Sequence, residues 1–262
     1  MNTFWTISAY GWAGAAALLF LLWLDQVRSR NATLVDVGWT LALAGCGVLF
    51  ALAADGSPAQ RALAGILAGI WGIRLAWHLV ADRVLGRKPE DARYQTLRAA
   101  WGANANLHFA WFYQLQALAA AGLSLPYLLI ARHDAPIASV QWAGVALWLF
   151  AIGMETLADR QLAAFRAEPA NRGTTCRAGL WRYSRHPNYF FEWLVWVAIA
   201  LIASPTADGL WAWLAPVIMF ILVTKISGIP WAEMQSIKSR GDDYRRYQRE
   251  TSTFIPWFPR KA

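Results

Sequence analysis

The sequence predicts an all-α polytopic membrane protein with seven transmembrane helices, the N-terminus outside and the C-terminus cytoplasmic. Three observations carry this. The 262 residues are 57% hydrophobic and 15% charged, where a soluble domain has about 25% charged residues. The apolar residues gather into seven stretches between polar segments, most of them near the roughly 20 residues that one bilayer crossing takes. The basic residues fall almost wholly on alternate loops, which is the positive-inside pattern.

The first span covers residues 4–24 and stops at Asp25 and Arg28. It has no basic start of the kind a signal peptide carries, so it reads as a retained helix. The second, 33–54, holds Asp36 in its first turn within VDVGW, where the helix dipole favours an acid. A turn with Gly56 and Pro58 leads into the third span, 62–81. Arg74 lies inside that span, and Asp36 is a candidate partner for it. Residues 82–106 are a long polar segment. A surface helix is expected there after Pro89, with Glu90 and Asp91 in its first turn.

The fourth span is 107–131, with Pro126 at a position that kinks helices. The fifth, 140–157, runs on into a charged extension to 167. A loop over 168–177 follows, and then GLWRYSRHPNYFFEW at 179–193, which leads into the sixth span, 189–203. The seventh is 210–227. An amphipathic surface helix over 230–249 and an aromatic tail over 253–259 close the chain.

Assigned to alternate sides, segments 25–32, 82–106, 156–188 and everything from 225 onward hold 21 of the 24 Lys and Arg, and the opposite loops hold 2. The net charge of +8 is thereby explained by membrane topology, and nucleic acid is not an expected partner. Cys46 and Cys176 make no disulfide framework, and the four His show no ligand spacing, so no metal is expected. No GxGxxG, Walker or G-x-S-x-G pattern occurs, so a nucleotide would have to bind among the helices.

Glu155, Asp159, Glu192 and Lys225 all map to the cytoplasmic ends of spans five to seven. The same layer contains Arg160, Arg166, Arg172, Arg177, Arg182, Arg185 and His186. Guanidinium forks match phosphate oxygens, so this layer suits a phosphorylated ligand; anionic lipid head groups are the alternative. Pro187 fits the first turn of the sixth helix, which puts the Asn188 amide at the helix entrance.

The stretch at 179–193 resembles the signature of the membrane steroid 5α-reductase family. That family is related to the sterol C14 reductases, and it shares RHPxY with the isoprenylcysteine carboxyl methyltransferases. VDVGW, WGIRLAWHL, EDARY, GMETLADRQLAAFR and SGIPWAEMQ extend the likeness over most of the chain. The resemblance implies one integral-membrane domain over 1–262. Its helices one to four, 1–131, would form an apolar substrate cavity, and its helices five to seven, 138–262, would hold NADPH. It assigns Glu155, Asp159, Arg166, Asn188, Glu192, Lys225 and Glu233 to the cofactor. Arg172, Arg177, Arg185, His186 and Tyr247 join them, by charge or by position.

The family motif usually has Gly where Phe191 stands. Asp36 matches the family's second-helix Glu approximately. The third span lacks the family's Tyr, so Tyr94 and Tyr113 are the candidates for holding a substrate carbonyl. The expected activity is NADPH-dependent reduction of the C4=C5 bond of a 3-oxo-Δ4 steroid or a similar apolar enone, in the bacterial cytoplasmic membrane. Membrane lipid and an apolar enone are the expected partners, and a monomer fits. The alternatives are sterol C14 reduction, methyl transfer from S-adenosylmethionine, and non-enzymatic lipid binding.

Overall fold

A computed structural model describes residues 3–85 and 89–260. Residues 86–88 of the long polar segment lie outside the described residues. Among the described residues every regular element is helical and there is no strand. Two compact units emerge, Met1–Ala138 with Pro205–Gly209, and Ser139–Ser204 with Leu210–Ala262.

The first unit is built from α1 (Phe4–Ser29), α2 (Leu34–Ala53), α3 (Pro58–Leu79), α4 (Ala92–Trp101) and α5 (Ala105–Ala131). α2 packs against α1, α3 and α5, so it forms the centre of the unit. Small residues allow the closest approach. A Cβ at Gly72 would stand 2.2 Å from Ala44 Cβ, and one at Gly47 would stand 2.6 Å from Ala68 Cβ. Helices without a water-driven force between them associate through such backbone-to-backbone packing. α3 does not stop at 81. It continues as a π-helical turn, Val80–Leu85, which carries Arg83. α4 is the expected surface helix with a shifted start: Asp91 is its N-cap and accepts the Arg93 N–H at 3.0 Å, as suits a short carboxylate at that position. Pro126 lies inside α5 without ending it.

The second unit contains α6 (Ser139–Ala167), α7 (Pro187–Ala203), α8 (Leu214–Ile221), α9 (Ile229–Arg240) and α10 (Asp242–Glu250). α6 is one helix of 29 residues, so the expected charged extension is a continuation of the span. Its main neighbour is α7. α8 passes into a second π-helical turn, Leu222–Ile226, which carries Lys225. The single surface helix expected over 230–249 is two helices. Gly241, at φ 54°, breaks the chain between α9 and α10 in a conformation that glycine adopts without strain.

Among the described residues, six helical segments are long and apolar enough to cross a bilayer: Phe4–Ser29, Leu34–Ala53, Pro58–Arg83, Ala92–Ala131, Ser139–Ala167 and Gly209–Arg240. This is the make-up of a polytopic integral membrane protein. The remaining apolar helix, Pro187–Ala203, has 17 residues. At 1.5 Å per residue it extends about 25 Å, short of a hydrocarbon core of about 30 Å.

Candidate functional site

Polar side chains inside these apolar units form two constellations, one per unit. In the second unit, α6 and α7 each present two polar groups one turn apart. On α6 these are Glu155 and Asp159, which are 3% and 8% exposed. On α7 they are Asn188 in the first turn and Glu192, the latter 9% exposed. Asn188 Nδ2 donates to Asp159 Oδ1 at 3.1 Å, which fixes the level of one helix against the other. Asn188 Oδ1 accepts the Tyr189 N–H at 3.0 Å, so both ends of the amide are engaged. One turn further along α7, Glu192 Oε1 accepts the indole N–H of Trp196 at 3.0 Å. Phe191 is buried beside Phe150 and Phe190, and it packs edge to face with both.

The turn before α7 is held by hydrogen bonds to distant residues. Arg185 is buried. Its Nε donates to Glu233 Oε1 at 2.7 Å, Nη1 to the carbonyls of Thr251 at 2.7 Å and Gln248 at 3.0 Å, and Nη2 to Thr253 Oγ1 at 2.9 Å. Its backbone N–H bonds Ser252 O at 2.8 Å, and Ser184 Oγ donates to Phe254 O at 2.8 Å. Glu233 also accepts Gln248 Nε2 at 2.8 Å and lies 3.3 Å from His186 Nε2. Burial depresses the His186 pKa; the Glu233 contact opposes the shift, and Arg185 and Arg240 reinforce it. The His186 ring stacks on Tyr189, with centroids 5.6 Å apart and planes 7° from parallel. Tyr247 bonds the carbonyls of Trp181 and Ser184 through its hydroxyl. Gly179, at φ 58°, lies against the Gln161 side chain, whose Oε1 accepts the Leu180 N–H at 2.9 Å.

The arginines thus separate into two groups. Arg185 is committed inside the unit. Arg177 pairs with Asp243 at 2.8 Å and Glu250 at 3.5 Å. Arg166, Arg172 and Lys225 are exposed.

In the first unit Asp36 is the focus. Tyr94 donates its hydroxyl to Asp36 Oδ1 at 2.6 Å. Arg93 Nη2 reaches Oδ2 at 2.6 Å, and Arg83 ion-pairs with the same oxygen. Asp91 joins through Arg93 at 3.0 Å and Arg83 at 3.7 Å. Burial raises the Asp91 pKa, but the Arg93 contacts outweigh it and hold the carboxyl below its ordinary value. Tyr113 is buried, with its hydroxyl 3.4 Å from Ala32 O. Tyr94 and Tyr113 both pack against Phe109 and Phe112. The bonds to Arg83 and Arg93 were not anticipated by the pairing of Asp36 with Arg74. A signal was present in EDARY, where Asp91 and Arg93 stand two residues apart and Tyr94 follows Arg93.

An all-helical integral membrane protein with a polar constellation in each of two units, buried in the second and half-buried in the first, is the class these features define. The chain belongs to the DUF1295 family, described as a protein family of unknown function, whose model matches residues 22–251. It is similar to an uncharacterized protein of Schizosaccharomyces pombe, with 24% identity covering 90% of this chain and 76% of that one. No solved structure matches it.

Proposed function

We propose that the protein is an NADPH-dependent reductase of an activated C=C bond in an apolar enone, with 3-oxo-Δ4 steroids as the leading substrate class. The observation that carries this reading is the bond between Asp159 and Asn188, with Glu155 and Glu192 one turn beyond. A half-buried amide among buried carboxylates suits the carboxamide and hydroxyl groups of a nicotinamide riboside. The exposed Arg166 and Arg172 suit its phosphates. Family membership supports the reading as well, since that family includes steroid 5α-reductase-like proteins. When bound, NADPH supplies the hydride.

In this reading Tyr94, positioned by Asp36, holds the substrate carbonyl. Tyr94 turns its O–H from the carboxylate to the incoming oxygen and stabilises the negative charge that develops there. Arg83 and Arg93 keep Asp36 oriented meanwhile. The topology that goes with this function has seven crossings, an external N-terminus and the nucleotide face in the cytoplasm of a bacterial inner membrane.

Energy transfer from tryptophan to bound nicotinamide tests the cofactor directly in purified protein. The expected result is saturable NADPH binding that E192A weakens about tenfold or more, the loss of one hydrogen bond to a charged group. A protein that binds S-adenosylmethionine and not NADPH would overturn the proposal in favour of methyl transfer. A panel of Δ4-3-ketosteroids, Δ14-sterols and polyprenyl enals then identifies the substrate.

A further inference from the structure

A shallow groove runs between α2 and α3 of the first unit, lined by Val48, Leu52, Arg61, Ala62, Gly65 and Ile66 among others. It is polar at one end only. Arg61 stands in the first turns of α3 and reaches back to α2. Its Nε donates to Ala51 O and its Nη2 to Leu52 O, each at 2.9 Å. These carbonyls are among the last four of α2, which have no partner within the helix. The two bonds satisfy them and hold the guanidinium at the mouth of the groove. A guanidinium has five N–H donors, and two serve these carbonyls.

Away from Arg61 the groove descends along both spans. Ile66 lies about 7.5 Å further along α3, and Val48 about 6 Å further into α2 than Leu52, at 1.5 Å rise per residue. The walls are open: Leu52 is 71%, Ile66 58% and Val48 36% exposed. Gly65 adds no side chain, so the floor there is backbone. The groove therefore has a cation at the level of the helix ends and a hydrocarbon trough running from it into the span. Both helices are long and apolar enough to cross a bilayer, so hydrocarbon and not water fills the trough.

From this geometry we infer that the groove binds one glycerophospholipid, with its phosphate on Arg61 and an acyl chain along Val48, Leu52 and Ile66. Guanidinium and phosphate are matched in shape and charge, and the trough selects for a chain attached to that phosphate. The inference stands apart from the proposed reductase activity.

Delipidated protein in detergent, titrated with phosphatidylglycerol or with diacylglycerol of the same chains and read by native mass spectrometry, provides the test. One phosphatidylglycerol adduct is expected, with diacylglycerol at least tenfold weaker. R61Q removes the phosphate contact. A62W fills the groove from the exposed face of α3 and leaves Arg61 in place. Each is expected to weaken the adduct tenfold or more, with helix content by circular dichroism unchanged for A62W. Equal binding of the two lipids, or an undiminished adduct in folded A62W, overturns the inference.

Discussion

Tyr94 donates to Asp36 Oδ1 at 2.6 Å while Arg93 and Arg83 hold the other carboxylate oxygen. Replacing Tyr94 with Phe removes the hydroxyl that donates to Asp36 and leaves the ring packing intact. Turnover of an enone is expected to fall about 10²-fold, the usual effect of losing one donor to a developing oxyanion. NADPH affinity should stay as in the parent protein, and a joint loss would assign Tyr94 a structural role instead. His186 makes a prediction about pH. Its pKa is lowered in the folded state, so the neutral ring is favoured there. Below the unfolded value of about 6.5 the unfolded chain takes up a proton that the native chain refuses, so stability is present above that pH and is lost as pH falls through it. Thermal melts in detergent should show a midpoint that drops between pH 7.5 and pH 5, with a flatter profile in H186Q.

The turn before α7 and the segment after α10 act as one structural piece. Arg185 ties Glu233, Gln248, Thr251 and Thr253 together, so R185A takes the main cation from a half-buried carboxylate and strands several carbonyls. Breaking a buried pair from one side costs roughly 3–5 kcal/mol, a loss that chemical denaturation of the solubilised protein would register. R185K should restore little of it, because an ammonium lacks the planar fork that serves three directions here. The sequence marked this arginine by its motif but assigned it to phosphate. Its partners lie 48 to 68 residues away along the chain, so nothing local announced them. The α6–α7 pairing was more legible, since Glu155 and Asp159, like Asn188 and Glu192, stand four residues apart and so share a helix face. The break between α9 and α10 is not read from the sequence, although Gly241 marks it, because 230–249 reads as one continuous helix.

At the scale of the whole molecule, composition was enough to predict helices and membrane residence, because a chain this apolar and this poor in charge has few other ways to satisfy its backbone. Helix lengths were less legible. Hydropathy ends where side chains turn polar, whereas hydrogen bonding continues, as it does through α6 to Ala167. The predicted orientation is testable because Cys46 and Cys176 are both free and buried, which leaves a quiet background for thiol labelling. Asp242 is 96% exposed in its side chain, so D242C should react with a membrane-impermeant maleimide only after cells are opened. D134C should react in intact cells; the opposite result inverts the topology. The Arg185 network also bears on synthesis. A ribosome makes Arg185 well before Glu233, Gln248, Thr251 and Thr253, and in that interval the guanidinium has none of these acceptors. Water must serve in their place, so residues around Arg185 have to wait on an aqueous side of the translocon while α8 inserts. An arrest of translation in that window would leave a chain that is threaded through the membrane and still unfinished at the turn before α7.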